Sequence, residues 1–188
     1  RVCAKELGID PSRFTVLMMS GGMGTTGIDG LSDRALEQVD DIQIIALAGN
    51  NKSLLDSLKT VSRRYSGERL IPMPFTNTIE RIMACADVAV TKPGGLTSSE
   101  CLALGLPMII VSPIPGQEER NSDYLLELGA AMKAVDADGV AYRLKRLIQE
   151  PQQLKTMARA AKRAGRPDAA EAILRTVLNE PARADKSK

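Results

Sequence analysis

The chain has 188 residues, 44% of them apolar, with 25 basic and 23 acidic side chains and a formal net charge of +2. That length suits one globular domain, or one domain with a helical appendage, whose core needs neither disulfides nor a metal. The near-balanced charge excludes a dedicated nucleic-acid binder, and the absence of histidine removes His-ligated metals and His general bases. The three cysteines, Cys3, Cys85 and Cys101, match no zinc spacing and no dense disulfide framework. Buried or incidental thiols in a reducing, cytoplasmic setting are expected. No apolar run approaches the ~20 residues of a membrane span. The first six residues do not form a signal peptide. Because residue 1 is Arg and not Met, the chain is expected to be a piece of a longer protein.

Short apolar runs alternate with amphipathic stretches. Strands are expected at 14–19, 42–47, 69–73, 87–91, 108–112 and 131–134. Helices are expected between them, at 31–39, 52–64, 77–84, 97–104 and 120–128. Continuous apolar strands separated by helices predict a parallel sheet covered on both faces, a doubly wound α/β domain. Ligands of such sheets sit at the carboxyl ends of the strands. The polar and glycine-rich segments 20–30, 49–51, 74–77, 91–96 and 112–120 all follow strands, so they gather at that edge. From 136 on the pattern is helical, at 138–149, 151–164 and 167–178, with Pro151 and Pro167 suited to helix starts. Residues 1–135 are therefore read as the ligand-binding α/β domain, 136–180 as helices packing on it, and 181–188 as a tail.

Four segments carry candidate chemistry. Gly22-Met23-Gly24-Thr25-Thr26-Gly27 fits G-x-G-x-x-G after a strand, which alone suggests a dinucleotide site. A nicotinamide cofactor also needs an acid at the end of the second strand, and that strand ends in Ala48-Gly49-Asn50. A glycine-rich turn approached by another ligand fits better. The second segment is Thr91 to Glu100. Gly94-Gly95 permits a tight turn and close backbone approach. Thr97 is a candidate N-cap, with Glu100 three residues on as in a capping box. The local pattern fits an ordinary capped helix and an anion site equally; its place at the ligand edge favours the anion site. The third, Pro113 to Asn121, is either a solvated turn or a polar cluster for sugar hydroxyls. The fourth runs from Arg143 to Arg166, with eight basic residues against one acid, Glu150. It is either a solvated helical face or a surface drawn to an anionic membrane.

Thr91-Lys92-Pro93-Gly94-Gly95-Leu96-Thr97 with Glu100, then Gly105-Leu106-Pro107, then Pro113-Ile114-Pro115-Gly116-Gln117-Glu118, resembles the C-terminal, donor-binding domain of glycosyltransferase family 28. The likeness is strongest to its monogalactosyldiacylglycerol synthase and processive diacylglycerol glycosyltransferase branch. It covers 14–131 and, more loosely, the helices that follow. The resemblance implies the C-terminal Rossmann-like half of a two-domain GT-B enzyme. That enzyme would transfer a hexose from a UDP-sugar, with inversion, to a lipid hydroxyl such as that of diacylglycerol. It implies no required metal or cofactor, and a general base and acceptor groove in an N-terminal domain outside this chain. It also implies site roles. Phe75 and Thr76 lie near uracil, which pairs with backbone groups there. Gly94, Gly95, Leu96 and Thr97 hold the diphosphate through their amides. Glu100 takes the ribose hydroxyls, and Gln117 and Glu118 contact the sugar. Gly22, Gly24 and Thr25 face the phosphates across the cleft. Glutamate at 118 departs from the two glutamines of the lipid II-forming branch and implies a different hexose. Alternatives are a nicotinamide-dependent oxidoreductase domain and a UDP-sugar epimerase-like domain.

Overall fold

The computed structural model describes residues 7–19, 27–65 and 68–178. Its strands are β1 (Phe14–Met19), β2 (Ile42–Gly49), β3 (Leu70–Pro74), β4 (Val88–Thr91), β5 (Met108–Val111) and β6 (Ala131–Ala134). The helices are α1 (Ile28–Gln38), α2 (Lys52–Arg64), α3 (Ile79–Met83), α4 (Gly95–Leu104), α5 (Gln117–Glu127), α6 (Ala137–Gln149), α7 (Pro151–Ala164) and α8 (Ala169–Val177). All the strands pair in parallel in the order β3-β2-β1-β4-β5-β6. The expected doubly wound α/β architecture is what the chain adopts.

The two-residue period of the strands divides the core. Val16, Met18, Ile42, Ile44, Val88, Val90 and Ile109 point to one face, where α1, α2 and α6 cover them. Leu17, Met19, Ile45, Ala89, Met108 and Ile110 point to the other, under α3, α4, α5 and α7. Both faces are apolar, so the strands read as unbroken hydrophobic runs. Gln43 breaks the run in β2 and is still buried. Its amide donates to Thr15 Oγ1 at 2.9 Å and to the Asp10 carbonyl, and its Oε1 accepts from the Asp10 N–H at 2.9 Å. Every polar atom of that side chain is thereby satisfied.

The two last-named core helices lie on opposite faces. α6 packs on α1, and Asp138 accepts from Arg34 Nε at 2.6 Å and Gln38 Nε2 at 2.9 Å. This pairing holds the Asp138 carboxyl below its usual range, chiefly through the Arg34 hydrogen bond. α7 crosses to α4. There Gly165 lies so close to the Leu102 carbonyl that a Cβ at 165 would collide with it. α8 buries none of its residues. It starts at Ala169 with Asp168 as N-cap, so Pro167 precedes the helix and does not open it.

Cys101 is free and buried. Burial first, and the neighbouring Glu100 carboxylate second, push its thiol up to about 12. It therefore stays protonated and inert at neutral pH. Cys85 departs from the expectation of incidental thiols, because it is disulfide-bonded.

Candidate functional site

The strand order reverses direction between β1 and β4, which lie side by side. From β1 the chain winds outward through β2 and β3, and from β4 through β5 and β6. The loops leaving β1 and β4 therefore diverge to opposite faces and open a crevice at the carboxyl edge. The loop after β1, with Gly22, Gly24 and Thr25, lies outside the described residues. The loop after β4 is Lys92-Pro93-Gly94, which leads straight into α4.

The start of α4 corrects the sequence expectation. The N-cap is Gly94, in extended backbone at φ −65° and ψ 146°, and Thr97 sits inside the first turn. The first helical bond runs from the Ser98 N–H to the Gly94 carbonyl, 2.9 Å. The helix begins at the glycine because the extended Gly94 turns the chain directly into it. No capping box forms, and no side chain caps this end. The amides of Gly94, Gly95, Leu96 and Thr97 thus precede the first intrahelical bond and have no protein acceptor among the described residues. Four free N–H groups and the positive end of a helix dipole converge on the switch-point crevice.

Glu100 lies one turn further along α4, four residues from Leu96, so the two share a helical face. Glu100 is exposed, and so is Leu96. Freed from the capping role, the Glu100 carboxylate has no hydrogen-bond partner among the described residues.

The β5–α5 connection is held by its own acids. α5 starts at Gln117, three residues earlier than expected, behind Gly116 at φ 101°. Gln117 and Glu118 therefore occupy the first turn of a helix and not a loop. The Ile114 N–H donates to Glu118 Oε2 at 2.8 Å, and the Gly116 N–H to Glu119 Oε2 at 3.3 Å. The left-handed Ser112, φ 43°, turns the chain out of β5. A non-glycine residue held there marks a constrained turn, the kind that clusters at ligand sites. Gln117 is exposed. One Glu118 oxygen is engaged with the loop, which leaves its second oxygen for a ligand, since a carboxylate accepts about four bonds.

Asn121, on α5, ties that helix to the β4–α4 loop. Its Nδ2 donates to the Pro93 carbonyl at 2.9 Å, so the first turn and a half of α5 holds the turn that opens α4. Sequence reasoning placed Asn121 in a polar cluster but missed this role. The expected helix start at 120 put it on the wrong turn. Replacing Asn121 with Ala should weaken binding of an anion at α4 several-fold, with a stability loss of about 1 kcal/mol. Calorimetric titration and a thermal melt would measure the two effects.

Phe75 and Thr76 follow β3 at the same edge, three strand spacings from β4, or roughly 14 Å. The Phe75 side chain is exposed. Its N–H donates to the Gly49 carbonyl at 2.9 Å, so that amide is not among the backbone groups free to meet a base. Thr76 Oγ1 accepts from the Thr78 N–H at 3.1 Å and shapes the turn into α3.

The model of the Glycosyltransferase family 28 C-terminal domain matches residues 24–173. The chain belongs to this family. Among curated proteins it is 34% identical over 151 residues to a processive diacylglycerol beta-glucosyltransferase of Staphylococcus carnosus, covering 80% of this chain and 38% of that protein. It is 27% identical over 177 residues to the Bacillus subtilis protein of the same name, covering 94% of this chain and 46% of the relative. The chain thus spans less than half the length of these relatives. The fold matches the C-terminal halves of GT-B glycosyltransferases. MurG of Acinetobacter baumannii superposes with TM-score 0.70 at 19% identity, over 89% of this chain and 52% of that one. Anabaena Alr3699/HepE, solved with UDP-glucose, gives TM-score 0.67 at 17% identity, over 95% and 52%. A putative UDP-N-acetylglucosamine 2-epimerase of Listeria monocytogenes gives TM-score 0.70 at 15% identity, over 100% and 50%. These likenesses show the fold alone.

Proposed function

We propose that the chain is the donor-binding half of an inverting transferase that moves a hexose from a UDP-sugar to a lipid hydroxyl. Glucose and diacylglycerol are the first candidates for the hexose and the acceptor. The observation that carries this reading is the uncapped start of α4, with four amides free at the switch point. Transfer breaks the bond between the anomeric carbon and a phosphate oxygen, so negative charge grows on UDP. Fixed N–H groups and a helix dipole stabilise that charge without a metal ion. Glu100 suits the ribose, because one carboxylate accepts from both hydroxyls of a cis-diol. The edge from α4 to Phe75 has the span of an extended nucleoside diphosphate. Gln117, with the second oxygen of Glu118, would meet the sugar. Family membership and the names of the sequence relatives support glucosyl transfer, and the beta linkage in those names supports inversion from an alpha-linked donor.

The nicotinamide alternative loses ground at β2. That strand ends in Gly49 and Asn50, and Asn51 is spent as the α2 cap, its Oδ1 accepting from the Leu54 N–H at 3.0 Å. No carboxylate stands there for a ribose. The epimerase alternative shares the fold, but the sequence relatives named above are glucosyltransferases.

The general base and acceptor groove are assigned to a second domain, so these 188 residues should bind donor and not turn it over. Incubation with UDP-glucose and diacylglycerol micelles tests this. Donor binding without glucolipid formation is expected. Robust transfer by the chain alone would refute the division of labour, and conversion of UDP-N-acetylglucosamine to its epimer without acceptor would replace the reading.

A further inference from the structure

The basic run of the C-terminal region divides into two parts in the structure. On α6, Arg143 donates to the Gly139 carbonyl at 3.0 Å and Arg146 pairs with Glu150 at 3.3 Å. On α7 the pattern differs. Lys155, Arg159, Lys162 and Arg163 are all exposed, and Arg166 follows just beyond the helix. At about 100° per residue these positions fall within an arc of about 100°. The opposite face carries Met157, buried in the core cluster of α6, and Ala160 and Ala161, buried in that of α4. No acid occurs from 151 to 166. None of the four helical cations makes an ion pair among the described residues.

A solvated face accounts poorly for this stripe. Exposed helices usually intersperse acids, whereas like charges three and four residues apart destabilise a helix by about 0.2–0.5 kcal/mol per pair. Lys162 and Arg163 have a local reason, because the last turn favours cations. Lys155 lies in the first half of the helix and Arg159 just past its middle, outside the last turn, so the dipole gives neither of them that reason.

The stripe borders an open pocket of about 240 Å³ at the amino edge of the sheet, the edge opposite the donor crevice. Met83, Leu104, Leu106, Pro107 and Leu154 make its wall apolar, and Lys155 lines it as well. Its one lining acid, Asp87, is turned inward, with Oδ2 accepting from the Thr15 N–H at 2.8 Å. Leu104 remains 45% exposed there. Cations beside an apolar recess match the two ends of an anionic phospholipid.

We propose that the cationic stripe of α7 and the pocket beside it dock this domain on an anionic lipid surface. Headgroup phosphates sit along Lys155, Arg159, Lys162 and Arg163, and an acyl chain reaches the Leu104 pocket. Each cation at such a surface contributes about 1 kcal/mol. The surface lies at the carboxyl end of α4, opposite the amides at its start, so it does not depend on the UDP-sugar reading.

The test is co-sedimentation of the 188-residue chain with two kinds of vesicle, one of phosphatidylcholine alone and one with phosphatidylglycerol replacing a third of it. Binding to the anionic vesicles only, weakened by salt, is expected. The variant K155Q/R159Q/R163Q should lose about a hundredfold in partitioning. Circular dichroism and the affinity for UDP should be unchanged in this variant, which separates lost docking from lost folding and from any failure of the donor site. Ala158→Trp, at the pocket wall, should retain the preference for anionic vesicles but bind several-fold less. Equal binding to both vesicles, or partitioning unaffected by the triple variant, would overturn the proposal. So would binding of duplex DNA as tight as that of the anionic vesicles. Full binding by Ala158→Trp would overturn the acyl-chain assignment.

Discussion

Replacing Gly95 with proline is expected to weaken UDP binding roughly ten- to a hundredfold while leaving the thermal midpoint unchanged or raised. The two effects have separate causes. Gly95 is the first residue of α4, the position where proline is most welcome in a helix. Gly94 before it already has the extended backbone that a following proline demands. A Cβ built at Gly95 meets nothing within 4 Å, so the substitution has room. Proline removes one thing the ligand would use, the Gly95 N–H, which makes no bond among the described residues. A hydrogen bond to a charged acceptor contributes about 1.5–3 kcal/mol. The shorter list of unfolded conformations stabilises the fold by up to about 1 kcal/mol. Calorimetry and a thermal melt on the same sample would measure both. Undiminished UDP affinity in a folded G95P protein would remove the amide cradle from the account.

Glu100→Ala should cost roughly 2–3 kcal/mol of UDP affinity, or about 30- to 150-fold. The structure sharpens this expectation. A capping Glu100 would have been a stability residue as well as a ligand group, and its loss would have moved both. Glu100 instead lies on the exposed face of α4 with no hydrogen bond to hold it among the described residues. The substitution should therefore leave the melting temperature nearly unchanged. Comparing UDP with 2′-deoxy-UDP locates the effect: the wild type should discriminate between them and Glu100→Ala should not. Equal affinities of wild type and Glu100→Ala for UDP would sink the ribose assignment.

The fold was legible because its strands are buried on both faces. Runs such as Ile42 to Leu47 have no polar side of their own beyond Gln43, and that continuity marks a parallel sheet. Helix starts were less legible, and the misreadings share one cause. α1, α4 and α5 begin at 28, 95 and 117, against expected starts of 31, 97 and 120, and each follows a glycine N-cap, Gly27, Gly94 or Gly116. A glycine cap carries no side-chain signal, so each of these starts is expected two or three residues late. α2 and α6 have Asn51 and Asp136 as caps, with side chains that accept from Leu54 and Gly139, and they were placed to within a residue. The distinction bears on the site. Glycine-capped helices follow β1, β4 and β5, around the switch point, while the side-chain-capped ones follow β2 and β6. At α4 the feature that hid the helix start also leaves its first amides without a protein acceptor among the described residues, whereas at α5 the Gly116 N–H is taken by Glu119. The Asn121 tie to Pro93 was beyond sequence reasoning, because it joins a helix to a loop 28 residues away.

The central claim is that free backbone amides at the start of α4, and not a metal, hold the diphosphate. Calorimetric titration of the chain with UDP, in buffer with EDTA and again with magnesium, tests it directly. Saturable one-to-one binding with the same affinity in both buffers is the expected result. No heat at millimolar UDP, or binding that appears only with magnesium, would contradict the account.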